Sequence, residues 1–237
     1  MRLLHICATP RGLTSNTVRV SNVLIEMLLE KYDDITVRTL DLFKAGLPSV
    51  AGKNIESKYM LMTGQNLDDA AQKSWQHIEK NIEQFLEADV YLLTVPMWNF
   101  GIPYVLKYYI DAIVQPGYLF RYNEEGQPEG LVKGKKMLCV TSRGGDYSSG
   151  PLQAFDFVES YLRTIFGFVG ITDIHFFNVQ PMDISPATRK AAYKTAFNEV
   201  RDYVGKSNWQ FEASAASIEM PEGIKPAPIS DLTVLSS

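Results

Sequence analysis

Three short stretches of this chain concentrate residues able to hold a ligand. Thr9-Pro10-Arg11-Gly12-Leu13-Thr14-Ser15-Asn16-Thr17 crowds hydroxyl and amide groups just ahead of Val20, Val23, Leu24, Met27 and Leu28, which recur at helical spacing. A helix beginning there presents free backbone N–H groups and the positive end of its dipole, and the hydroxyls would complete a cradle for phosphate. The plainer reading is that Ser15 or Asn16 caps the helix. Neither GxGxxG nor GxxxxGK[ST] is present, so the stretch suits one terminal phosphate better than a pyrophosphate. Gly130 to Lys136 is the nearest decoy, but it precedes a strand and lacks the Ser/Thr.

The second stretch, Pro96-Met97-Trp98-Asn99-Phe100-Gly101-Ile102-Pro103, brings two aromatics, an amide and a glycine into one turn. Aromatic faces can lie against a flat heterocycle such as a flavin, while Asn99 and backbone groups match its donors and acceptors. Alternatively, it is a rigid turn whose aromatics complete the core. The third stretch is Ser142-Arg143-Gly144-Gly145. Its glycines let main chain approach a ligand without a Cβ in the way, and Arg143 could stabilise negative charge on a reduced ring. The bland alternative is a flexible turn with a solvated arginine.

The elements around these stretches place them together. Leu3 to Cys7 reads as a buried strand, Ile35 to Leu42 as a half-exposed edge strand, and Val90 to Val95 as a fully buried one. Lys136 to Thr141 and Gly170 to Phe177 give a fourth and a fifth. Between them run amphipathic helices from Leu67 onward, from Pro103, and through Phe155 to Phe166, with a last helix over Ala192 to Val204. This alternation predicts an α/β fold: a five-stranded parallel sheet with helices on both faces and right-handed crossovers. All three stretches then follow strands and fall on one sheet edge, where such folds bind ligands. Leu42 to Asn66 lacks a strong period and reads as a functional wall or a surface loop. Residues 1–204 form the domain and 205–237 a tail.

Composition narrows the function further. The 237 residues are 46% hydrophobic and 21% charged, with a net charge of −4, which gives no broad positive field for nucleic acid or an anionic membrane. No run approaches the ~18 apolar residues of a membrane span, and two cysteines suit a reducing compartment, with the cytoplasm as default. Cys7 and Cys139 fall on strands separated by a third, roughly 9.5 Å apart sideways, so both are expected as free, buried thiols. His5, His77 and His175 are scattered over separate elements and form neither a metal cluster nor a nucleophile-base pair. Asn123 to Gly126 is expected as a solvated hairpin tip. Around it, Tyr118, Phe120 and Tyr122 could pack on a partner subunit or on their own domain.

The chain resembles the FMN-dependent NAD(P)H azoreductases, in the NAD(P)H quinone reductase group of flavodoxin-like three-layer folds. The likeness runs from residue 2 to about residue 204. It is carried by Pro96 to Pro103 with Leu106-Lys107 and Ile110-Asp111 behind it, then by Phe120-Arg121-Tyr122, Gly134-Lys135-Lys136, Ser142 to Gly145 and Phe168 to Thr172. The resemblance implies FMN contacts from Thr9, Ser15, Asn16, Thr17, Met97, Trp98, Asn99, Phe100, Ser142, Arg143, Gly144 and Gly145. It also implies NADH or NADPH as donor, quinones and azo compounds as small aromatic acceptors, and a homodimer with the flavin near the interface. Thr9 stands where the family has serine and Trp98 where it has tyrosine; the first keeps the hydroxyl, the second changes the substrate face. The flavin would carry the chemistry in a ping-pong scheme that needs no catalytic side chain. A flavodoxin-like electron carrier and a flavin-free interaction protein are the rival readings.

Overall fold

The computed structural model describes residues 1–49, 51–62 and 67–210. In chain order the elements are β1 (Arg2–Cys7), α1 (Asn16–Lys31), β2 (Thr36–Asp41), α2 (Lys53–Met62), α3 (Asp69–Glu87), β3 (Val90–Pro96) and α4 (Tyr104–Ile113). There follow β4 (Phe120–Tyr122), β5 (Pro128–Gly130), β6 (Lys136–Ser142), α5 (Phe157–Phe168), β7 (Asp173–Val179) and α6 (Pro186–Lys206). Five strands form one parallel sheet in the order β2-β1-β3-β6-β7, and β4 and β5 form a separate antiparallel hairpin.

The continuous apolar runs of β3 and β6 exist because helices cover both faces. Val90 and Leu92 of β3 and Leu138 and Val140 of β6 join a core with α1 and α6, built on Val20, Leu24, Leu28, Ala196 and Val200. The alternate residues Tyr91, Leu93, Met137 and Cys139 join the opposite core with α3, α4 and α5. Strand β2 is the exposed edge that its alternating sequence predicts. Cys7 and Cys139 are free and buried, on strands separated by β3. Among the described residues, no helix is long and apolar enough to cross a membrane.

Four local expectations change. The segment 42–66, read as a loop, contains helix α2. Its apolar Ile55 and Tyr59 are exposed rather than gathered in a core-facing stripe, so it carries no clear period. The last strand starts at Asp173 rather than Gly170, which takes φ +106° in the turn after α5. Pro103 caps α4 with φ −57° and ψ 143° instead of starting it. Order also continues past residue 204, since α6 ends at Lys206 and Trp209 stacks on Tyr32 with centroids 5.3 Å apart. The rest of the expected tail, 211–237, lies outside the described residues. Residues 123–126 do form the β4–β5 tip, and the Phe120 ring packs on Phe168 of its own domain.

One polar cluster interrupts the apolar layer under α1. His5 Nε2 lies 2.7 Å from Thr94 Oγ1, which lies 2.6 Å from Ser21 Oγ of α1. Burial lowers the His5 pKa to about 4, so the ring is neutral and the cluster needs no counter-charge. The unfolded chain takes up this proton near pH 6.5, whereas the folded chain resists until about pH 4. Stability is therefore full above pH 6.5 and falls as pH drops toward 4, by on the order of 3 kcal/mol from this group. Chemical denaturation across that window should show a steeper acid loss for the wild type than for His5→Gln; parallel profiles would contradict a neutral buried ring.

Candidate cofactor site

The loops after β1, β3 and β6 converge at one sheet edge and are stitched together by main chain. Ala8 N–H donates to Thr94 O at 2.9 Å, Met97 N–H to Ser142 O at 2.9 Å, and Arg143 N–H to Val179 O at 3.2 Å. From β1, Thr9 is buried, and the chain passes through a single 3₁₀ turn at Gly12–Thr14 into α1. Ser15 sits at the N-cap but makes no side-chain cap hydrogen bond. Its Oγ instead lies 2.8 Å from Thr17 Oγ1, both residues being buried. Asn16 does not cap either, because its Oδ1 accepts from Tyr193 OH of α6 at 2.7 Å. Among the described residues the first-turn N–H donors are thus left without a side-chain acceptor, beside two hydroxyls and the positive end of a 16-residue helix. That is the donor set an anion needs.

After β3, Trp98 and Gly101 exchange both backbone hydrogen bonds, at 2.9 and 3.0 Å, around Asn99 at φ 48° and Phe100 at φ 69°. Positive φ at both central residues defines a type I′ turn, which suits Asn first and Gly second. Phenylalanine in the left-handed region costs about 1–2 kcal/mol. Phe100 is also 46% exposed, so no core burial offsets that strain. Phe100 therefore does not complete the core. Trp98 lies 6.1 Å from the Phe43 ring and 6.4 Å from Tyr104, and Phe100 lies 5.7 Å from Phe155. A strained, half-exposed aromatic turn at this sheet edge has faces on which a flat ring could stack.

The loop after β6 departs from expectation at Arg143. Arg143 is neither solvated nor turned toward a ligand, since its side chain is fully buried. Its NH2 nitrogen pairs with Asp156 at 2.6 Å, and its NH1 nitrogen donates to Thr141 Oγ1 at 2.5 Å and to Asn178 Oδ1 at 2.8 Å. The planar fork of the guanidinium matches these partners, and Asp156 in turn caps α5 by accepting from Val158 and Glu159 N–H. Arg143 thus ties β6 and β7 to α5, and stabilisation of negative charge on a ring cannot be assigned to its side chain. At Gly144, an added Cβ would stand 2.8 Å from Asp183 Oδ2, so the missing side chain leaves room for that carboxylate. The corresponding space at Gly145 faces Leu152, at 3.2 Å.

The model of a family described as having a flavodoxin-like fold matches residues 1–204. The chain belongs to this flavodoxin-like family. It is 37% identical over 201 residues to an FMN-dependent NADH:quinone oxidoreductase of Nitratidesulfovibrio vulgaris, covering 84% of this chain and 96% of that protein. A Pseudomonas fluorescens protein named FMN-dependent NADH:quinone oxidoreductase 3 is 35% identical over 202 residues, covering 82% and 94%. Among solved structures, a Bacillus anthracis azoreductase superposes with a TM-score of 0.80 at 29% identity, covering 87% of this chain and 100% of that one. An FMN-dependent NADH-azoreductase of the same species, solved in complex with FMN, gives 0.78 at 26% identity, covering 86% and 97%.

Within this flavodoxin-like frame the donor set fits a phosphate-bearing flavin. The edge also holds residues that the sequence reading passed over. Phe43 follows β2 and so lies at the same strand ends, a signal that reading only the other three loops misses. Tyr104 and Phe155 extend the aromatic surface, and Phe157 N–H donates to Phe100 O at 3.1 Å, tying the turn to the start of α5. Phe100→Gly is expected to relieve the left-handed strain, leaving stability unchanged or raised by up to about 1 kcal/mol, and to weaken FMN binding roughly tenfold. Thermal melts and flavin titration read the two effects separately. A destabilised variant with unchanged FMN affinity would make the ring structural.

Proposed function

We propose that this chain is an FMN-dependent oxidoreductase that carries electrons from NADH or NADPH to quinones and azo compounds. The observation that carries this reading is the uncapped start of α1 beside the strained aromatic turn, because one ligand with a phosphate at one end and a flat ring at the other answers both. The identities and structural likenesses given above support the same chemistry. Thr9, Ser15 and Thr17 would hold the phosphate through hydroxyls and N–H groups, with Asn16 contributing through its backbone. Met97 to Phe100 would bind the ring, Asn99 by its amide and the aromatics by their faces. Ser142, Arg143, Gly144 and Gly145 would line the ring through main chain. When bound, FMN supplies the two-electron chemistry, accepting hydride equivalents from the nicotinamide and passing them to the acceptor.

The protein's own task is then to orient two flat molecules in turn and keep water away. Exposed Phe100, Tyr104, Phe155 and Phe157 form an apolar rim at this edge, which suits stacking of an aromatic acceptor and burial against a second copy. A homodimer in the cytoplasm, turning over by a ping-pong scheme, completes the reading. An electron carrier would need an open ring edge for a partner protein, and the bulky Trp98 and Phe100 oppose that.

The purified chain should be yellow, and NADH or NADPH should bleach it in one two-electron step. Added quinone should restore the colour without a partner protein. Initial rates varied in both substrates should give parallel lines. Intersecting lines would replace the ping-pong order, and failure of both nicotinamides to reduce the bound flavin would replace the enzyme with a carrier.

A further inference from the structure

A second concavity lies away from the three loops. Helix α4 starts at Tyr104, beside the aromatic turn, and at ten residues runs about 15 Å toward the other end of the sheet. At its C-terminal end a cavity of about 310 Å³ opens between α2, α3, α4 and α5. Its apolar walls include Trp75, Ile110 and Ile165. Two amides line it as well, Asn54 at 7% exposure and Gln115 at 1%.

Both amides are fixed by carbonyl partners on their nitrogen side. Asn54 Nδ2 donates to Ser49 O at 2.5 Å, and Gln115 Nε2 donates to Asp111 O at 2.7 Å and Ala112 O at 3.2 Å. A flipped amide would set oxygen against oxygen, so the orientations are determined. Each amide oxygen is then buried without a hydrogen-bond partner among the described residues. Two buried acceptors lacking donors are costly unless something with O–H or N–H groups meets them. Lys58 lines the same cavity, and burial lowers its pKa more than the nearby Asp111 raises it. Asp111 is itself engaged by Lys107 Nζ at 2.6 and 2.7 Å.

We propose that this cavity binds a small aromatic acid that also carries an O–H or N–H donor, at a site separate from the cofactor loops. The volume is in the range of small-molecule sites. The walls take the ring, the Asn54 and Gln115 oxygens take the donor, and the Lys58 ammonium takes the carboxylate. The site stands independently of the flavin reading, since none of these residues belongs to the three loops.

The test is calorimetric titration of the full chain, saturated with FMN where it binds, using 4-hydroxybenzoate as probe and 4-methoxybenzoate as its donorless counterpart. We expect one 4-hydroxybenzoate per chain. The methoxy analogue and the Lys58→Gln variant should each bind about tenfold more weakly, the loss of one charge-assisted or buried hydrogen bond. Ile55→Trp, at the exposed rim of the cavity, should block binding while circular dichroism and quinone turnover stay unchanged. No heat up to about 10 mM probe would overturn the proposal and leave the cavity to water. Equal affinity for the two probes, or competition with quinone, would overturn it too. Binding that falls as chain concentration rises would give the cavity to a second copy and likewise overturn the proposal.

Discussion

A helix that begins at the end of a buried sheet must answer its first N–H groups, and much of this molecule's architecture follows from how α1 does so. Most helix starts satisfy those donors with a serine, threonine or aspartate side chain. Asp68 does this for α3, accepting from Ala71 N–H at 2.7 Å, and Asp156 does it for α5. At α1 a serine holds the right position with its hydroxyl turned to Thr17, and the neighbouring amide is drawn off to α6. The dipole and the donors therefore remain available at the sheet edge, where β1, β3 and β6 deliver their loops.

Rigidity around that edge comes from groups that do no chemistry themselves. The buried Arg143–Asp156 pair fixes the exit of β6 against the start of α5, and the Phe157 N–H bond to Phe100 passes that rigidity to the aromatic turn. A buried ion pair adds little net stability beside an apolar substitute, but breaking it would leave an uncompensated charge. The loop is thereby held to one arrangement. The His5 cluster plays a similar part beneath α1, as neutral hydrogen-bonding groups between sheet and helix.

The parallel sheet was legible because strands buried on both faces are apolar nearly throughout, as Val90 to Val95, with Thr94 the one exception, and Met137 to Val140 are. The meeting of the three loops at one sheet edge was legible because strand-loop-helix order fixes which ends meet. Helix α2 was not, since its Ile55 and Tyr59 are exposed rather than turned to the core. The fate of Arg143 was hidden for a different reason. Its partners Asn178 and Asp156 come from a neighbouring strand and from the next helix cap, and no local pattern announces a pairing of that kind. The left-handed backbone at Phe100 was equally silent, because a residue type that rarely adopts positive φ gives no cue that it does.

The central claim, that α1 leaves its N-terminus open for a phosphate, is tested most directly by Ser15→Asp with paired titrations of FMN and riboflavin. A carboxylate there accepts from the first-turn N–H groups as an ordinary cap and repels a phosphate. The account predicts FMN affinity lowered at least about tenfold, toward that of riboflavin, with riboflavin binding and stability preserved. Unchanged FMN affinity in a folded Ser15→Asp variant would contradict it.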